Sequence, residues 1–245
     1  MTPAEGRARL AALGLDEAAC ETLWRHFDDA ERRGKHGHGH ARIEWLETQA
    51  IDPVARPVHA TSSEAFDRWE GNGALGYLTL EAICVDLAAR PPEHARLVVA
   101  SACFPTGALG YWARRLADDV GLVAVFTATS PKRLPHPDGG VPLTGTNPLA
   151  IAIPSSTGHA FVADVSMGAV THGDVIAGRA RPDQLVPFGG PHAHKAFALA
   201  AGLELLVGAL AGSEHGVVAL VARPEHDPVP SFRALAGAVR LPGDS

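Results

Sequence analysis

The chain has 245 residues, of which 46% are hydrophobic and 20% charged, and its formal net charge is -6. That is enough chain for a sizeable core, in one large domain or two small ones. Scattered basic residues on a net acidic chain argue against a nucleic-acid surface. No apolar run reaches the roughly 18–20 residues of a membrane span, and "MTPAEGRARL" lacks the basic-then-apolar layout of a signal peptide. Cys20, Cys84 and Cys103 lie far apart with no CxxC, which argues against a disulfide framework and points to a reducing cytoplasm.

Thr2, Pro3 and Glu5 form a capping box that opens a first helix. Asp16 caps a second, "EAACETLWRHFDDAERRG", with Leu23, Phe27 and Ala30 on one side and Gly34 as its stop. "KHGHGHAR" leaves its end. Residues 51–75, with Pro53, Pro57 and "EGNGALG", read as a linker or an extended crossing segment. "LTLEAICVDLAAR" is an amphipathic helix with Leu78, Ala82, Val85 and Ala89 on one side. A strand "RLVVASACF", a helix "LGYWARRLADDVG" and a strand "LVAVFTAT" come next. After a Pro/Gly loop, "LAIAIPS" and "AFVADVS" suit a hairpin across "STGH". Then come a long helix "AFALAAGLELLVGALAG", a last strand "GVVALVAR" and a short helix "SFRALAGAV". The beat is not a regular βαβ, and no GxGxxG follows the first strand. The expected class is α+β, a sheet-and-helix layer with a helical domain attached.

Four places carry candidate chemistry. His36, His38 and His40 alternate ahead of Arg42, and would share one face only in extended chain. No Cys sits at ligand spacing and Glu44 is the only close acid, so a solvated loop or an acid/base His38 with an anion-holding Arg42 is preferred to a metal site. Gly145, Asn147 and Pro148 make a tight turn that either shapes the chain or offers amides to a ligand. Asp164 is an acid in an apolar strand end, which needs a partner or a use; it either caps the next segment or tunes and orients a histidine. Gly189 and Gly190 lead through His192, His194 and Lys195 into the long helix, a start that suits an anion. Gly202 and Gly208 in that helix point to close helix packing.

Together "GHGHAR" (37–42), "GALGYWARRLA" (107–117), "GTNPLAIAIP" (145–154), "FVADVSMG" (161–168) and "PFGGPHAHKAFALAAGLELLVGALAG" (187–212) resemble the type-2 malate/L-lactate dehydrogenase family. That family includes ureidoglycolate, sulfolactate and diketogulonate-type enzymes and cyclic-imine carboxylate reductases. The resemblance implies a non-Rossmann nicotinamide-binding sheet domain over 71–223 and a small helical domain over 1–70, joined by 224–245. It also implies a homodimer, an NAD or NADP cofactor, and a small carboxylate substrate: a 2-oxo or 2-hydroxy acid or a cyclic imine. By the same resemblance His38 is the acid/base, paired with Asp164, and Arg42 binds the substrate carboxylate. Gly145, Thr146, Asn147, Pro148, Gly189, Gly190, His194 and Lys195 face the cofactor, and no metal is implied. The chain departs from the pattern at Gly37 (Ser in the family), Pro105 (His), Ala196 and Ala198 (Gly) and Phe197 (Tyr), and it is short between Gly178 and Pro187. These departures keep two alternatives open: cofactor-independent acid/base catalysis on the same fold, or a non-catalytic dimeric binding protein.

Overall fold

The computed structural model describes residues 1–244. Helix α1 (Pro3–Ala12) begins at the expected capping box, with Thr2 Oγ1 accepting from Glu5 N and Glu5 Oε2 from Thr2 N at 2.8 Å. Asp16 caps α2 (Glu17–Arg32), which buries Leu23, His26, Phe27 and Ala30 at helical spacing. A single 3-10 turn at His36–His38 leads into α3 (Ala41–Leu46).

The expectation of a linker over 51–75 is corrected. Strands β1 (Val58–Ser62) and β2 (Phe66–Glu70) form an antiparallel hairpin at one edge of the sheet. β1 is mostly exposed, and one inward position of β2 is Asp67, held by Arg96 Nη1 at 3.3 Å. A strand that turns a carboxylate inward offers no apolar alternation to read.

Helix α4 (Gly76–Ala89) is followed by β3 (Ala95–Ser101), α5 (Leu109–Val120) and β4 (Val123–Ala128). The loop expected next holds a small hairpin of its own, β5 (Leu134–His136) and β6 (Gly139–Thr144). Strands β7 (Leu149–Ile153) and β8 (Phe161–Val165) pair antiparallel, as the sequence suggests. A short helix α6 (His172–Ile176), the long α7 (Ala193–Ala211), β9 (Val217–Ala222) and α8 (Val229–Ala236) complete the chain. The main sheet runs β1-β2-β3-β9-β4-β7-β8, and its pairs are antiparallel except β2 with β3. This is the α+β class read from the sequence, with one βαβ unit, β2-α4-β3, in an otherwise antiparallel sheet.

Strand parity divides the core between two faces. Val98, Ala100, Val217, Ala219 and Val221 join the main cluster with α4 and α5, whereas Val99 and Val218 meet Val207 and Ala211 of α7. Leu23 and Phe27 of α2 and Ile43 and Leu46 of α3 sit in that same main cluster. α8 lies beside β8 instead, through Phe232 on Phe161 and Arg233 on the His159 carbonyl.

Three further readings are corrected. α4 buries Tyr77, Leu80, Ile83, Cys84 and Leu87, and leaves Val85 55% exposed, so the face read from spacing is the wrong one. The helix is apolar nearly all round, and spacing alone does not choose a face on such a helix. The span Gly190–Ala211 is, by length and composition, long and apolar enough to cross a membrane. Here it packs on the sheet through Ala196, Ala200, Val207 and Ala211 and leaves Leu199, Leu205 and Leu206 exposed. Gly202 and Gly208 face open space rather than a helix of the same chain.

His26 is the most constrained polar residue of the core. It is fully buried among Phe27, Tyr77, Tyr111 and Trp112, and its Nε2 accepts from Ala108 N at 3.1 Å. Burial, more than any neighbouring charge, holds its pKa down to about 3. The folded state therefore keeps this ring neutral while the unfolded chain protonates it below about 6.5.

This packing has two measurable consequences. In urea denaturation Leu87→Ala costs ~2–5 kcal/mol, while Val85→Ala stays within ~0.5; the reverse order would mean α4 is turned the other way. Unfolding takes up protons between pH 6.5 and 5, above the carboxylate range, so stability falls as pH falls there. His26→Gln keeps an acceptor for Ala108 N, and it should remove about 1.4 kcal/mol per pH unit from that slope. An unchanged slope would show that His26 titrates normally in the fold.

Candidate active site

The 3-10 turn after α2, the α4 start, the loop before α5, the end of β4, the β7 turn, β8 and α6 surround one cavity of ≈ 350 Å³. His38, Arg42 and Asp164 all line it, so β8 brings Asp164 to the same cavity as the turn and helix start that carry the other two. The three alternating histidines do not converge. His36 Nδ1 meets Glu31 at 2.5 Å, His40 stacks on Trp24, and only His38 reaches the cavity.

His38 Nδ1 is buried with no partner, which leaves Nε2 as the accessible nitrogen. Burial, then the charges of Arg42 and Lys35, push its pKa down to about 3, so the ring is neutral at neutral pH. Arg42 is buried, donates from Nε to the Gly37 carbonyl at 2.8 Å and lies over the Trp45 ring. Among the described residues no carboxylate pairs with it. Asp164 does not pair with His38 in this structure. Its Oδ2 accepts from Lys35 Nζ at 2.5 Å, because Lys35 stands on the same wall and brings a full positive charge where the neutral imidazole brings none.

Glycines make the close approaches possible. A Cβ on Gly110 would lie 2.7 Å from Asp164 Cβ, and one on Gly107 would lie 2.3 Å from the His26 ring. Gly37, the departure from Ser, has the same explanation. A Cβ there would lie 2.8 Å from Asp174 N, because the α6 segment passes directly behind the turn. Pro105 lines the cavity at the place of the family His.

The expected cofactor residues divide into two groups. Thr146 and Pro148 line the cavity. Asn147 is fully buried and donates to Ala200 O and Glu204 Oε2, and Gly145 N also faces Glu204, so these two tie the turn to α7. Gly189, Gly190, His194 and Lys195 are exposed at the start of α7 and outside the cavity, although Phe188 N reaches Met167 O beside the cavity residue Ser166.

Sequence reasoning missed Lys35, Tyr77, Arg133 and His172, all in the wall. Tyr77 Oη and His172 Nδ1 are buried without partners. His172 is held down to about 4, first by burial and then by Arg133 and Arg42. A readable signal existed for α6: Thr171 and Asp174 form a capping box, with Asp174 Oδ2 accepting from Thr171 N and Oγ1. Arg133, in a proline-rich loop, carries no such pattern. A separate group, His59, Asp67 and Asp86, brings its ligand atoms within 4.8 Å of one another, but Arg96 and Arg90 already neutralise its two carboxylates.

Comparison with known proteins gives this geometry a family. A Δ1-pyrroline-2-carboxylate reductase of Pseudomonas fluorescens is 30% identical over 81% of this chain and 67% of its own length. A (2R)-3-sulfolactate dehydrogenase (NADP(+)) of Chromohalobacter salexigens is 30% identical over 85% of this chain and 70% of its own. The chain thus spans about two thirds of the length of the curated relatives it matches. The Δ1-piperideine-2-carboxylate reductase structure from Pseudomonas syringae superposes with a TM-score of 0.81, at 24% identity, over 98% of this chain and 88% of that one, and shows the same fold. The malate/L-lactate dehydrogenase family model matches residues 5–184, and the chain belongs to that family.

Proposed function

We propose that this chain is an NAD(P)H-dependent reductase of a small carboxylate, with a cyclic imine or 2-oxo acid as acceptor. One observation carries the reading. His38, whose Nε2 is the accessible nitrogen, Tyr77 and His172 line one cavity with a guanidinium, Arg42, that no carboxylate of the described residues neutralises. A buried guanidinium without a counter-charge costs free energy that an anionic ligand would return.

The residues present also fit a nicotinamide group. Thr129, Ser130, Thr146 and Pro148 give one wall small hydroxyls and a flat ring. Gly145 leaves room at its corner, where a Cβ would lie 2.3 Å from Ser130 Oγ. In this reading these residues hold the nicotinamide end, and the Gly189–Lys195 stretch meets the phosphates. When bound, NAD(P)H supplies the hydride.

The chain's own residues bind the carboxylate and manage a proton. Arg42 holds the substrate carboxylate. That negative charge offsets Arg42 and Lys35, which add to burial in depressing His38, and so raises its proton affinity. His38 then becomes a donor only with substrate in place, and Nε2 passes a proton to the imine nitrogen or carbonyl oxygen. Asp164 balances Lys35 and the protonated ring. The three cysteines, free and buried, fit a reducing compartment.

We also assign the exposed α7 face to a second copy of the chain. Leu199, Leu205 and Leu206 are 52%, 73% and 44% exposed, beside the bare Gly202 and Gly208. A contiguous apolar face on a folded domain marks an interaction surface.

Turnover is read from NAD(P)H absorbance with Δ1-pyrroline-2-carboxylate, Δ1-piperideine-2-carboxylate and a 2-oxo acid panel. His38→Ala lowers kcat by ~10²–10⁴, and Arg42→Lys acts mainly on KM. If neither nucleotide is oxidised and neither raises the melting temperature, the redox reading fails and cofactor-free acid/base chemistry takes its place. In sedimentation, wild type runs as a dimer and Leu205→Glu as a folded monomer; a wild-type monomer sinks the assignment of α7.

A further inference from the structure

Resting on the reductase reading, we propose that Arg133 is a second anion clamp in the cavity and selects substrates that carry two acidic groups. Arg42 and Arg133 both line the cavity, and among the described residues neither has a carboxylate partner. The two acids of the wall are already committed, Asp164 to Lys35 and Asp174 to the Thr171 cap. With His38 and His172 neutral, Lys35, Arg42 and Arg133 face only Asp164 and Asp174, which leaves the wall with an excess of positive charge.

The two guanidiniums act on the same corner. Arg133 is half-buried, and burial followed by the Arg42 charge lowers its proton affinity. Burial first, and then both cations, depress His172 on the same wall. Arginine does not escape such a position by losing its proton. The stable resolution is an anion for each fork, since guanidinium pairs with carboxylate or sulfonate through parallel N–H···O bonds. Arg42 is fixed by its bond to Gly37 O and by Trp45. The Arg133 backbone is fixed at the root of the β5–β6 hairpin, where its N donates to Thr144 O at 2.9 Å. Two cations on separate anchored segments suit a compact dianion, with one acid group on Arg42 and the other reaching Arg133. A monocarboxylate would leave Arg133 unpaired.

The same charge could instead meet a nucleotide phosphate, and the experiment separates the two sources. Binding of lactate and acetate is compared with binding of malonate and sulfoacetate, by calorimetry on the full chain without nucleotide. Wild type binds the dianions at least about tenfold tighter, the scale of one charge-assisted bidentate pair. Arg133→Met removes that difference and leaves lactate affinity unchanged, and Arg133→Lys, which keeps the charge but not the fork, retains part of it. Equal binding of mono- and dianions by wild type overturns the proposal. So does a dianion preference that survives in folded Arg133→Met. If Arg133→Met does not fold, a full preference in Arg133→Lys overturns the need for the fork, and a reduced one supports it. Loss of NADH or NADPH binding in Arg133→Met with the anion preference intact would assign the charge to the nucleotide. Because these readouts need no turnover, failure of the redox reading would appear separately, as absent NAD(P)H oxidation.

Discussion

The cavity exists because two backbones cross at Gly37 and Gly173. A Cβ on Gly173 would stand 2.2 Å from the Gly37 carbonyl, and one on Gly37 would strike the next peptide. With both side chains reduced to hydrogen, the turn after α2 lies flat against the start of α6. The Gly37 carbonyl then accepts from Arg42 Nε, so the crossing also aims the guanidinium. His38, Arg42 and His172 are thereby brought from segments more than a hundred residues apart in sequence to one wall. No single helix or strand could do this, since each contributes only one or two of the wall's polar groups.

The wall that results is electrostatically unfinished. Its histidines are held neutral by burial and by uncompensated arginines, and several polar atoms have nothing to bond. Each buried group left unpaired costs ~1–3 kcal/mol. Unpaired buried atoms are not confined to this wall: His26, Asp67 and Asn147 each make one or more bonds, yet His26 Nδ1, Asp67 Oδ1 and Asn147 Oδ1 have no hydrogen-bond partner. What sets the cavity apart is its guanidiniums without carboxylate partners among the described residues, and stability given up there is how a fold holds a site ready for a charged ligand.

Legibility in the sequence tracks the physics of each element. Caps are readable because Thr2 and Asp16 act within three residues of themselves. The strands β3, β4, β7, β8 and β9 are readable because their apolar residues fill a buried sheet. β1 and β2 are not, because an exposed edge with an inward Asp67 has no apolar rhythm. α4 is found but turned the wrong way, since a helix apolar on most sides is oriented by its neighbours rather than by its own pattern. At the site, His38, Arg42 and Asp164 come from the family resemblance, and the cavity does gather them. The pairing of Asp164 with Lys35 is hidden, because it depends on which charges burial leaves on one wall.

The glycine pair of "GALGYW" shows what that resemblance is made of. Read as a helix start, Gly107 and Gly110 look like a flexible entry to α5. In the fold each is a contact surface: Gly107 leaves room for the ring of His26, and Gly110 for the Cβ of Asp164. Gly107 stands just before the cap of α5 at φ 69° and Gly110 in its first turn, so the entry to α5 takes a core histidine of α2 at one point and a cavity carboxylate of β8 at the other. His26 fixes the loop that borders the cavity through Ala108 N, and Asp164 closes the far wall. A motif that carries no catalytic atom thus sets the distance between the N-terminal helices and the sheet. Gly37 is the same device at the turn after α2, which is why its loss of the family's hydroxyl marks a change of shape at the site rather than a simple deletion of chemistry.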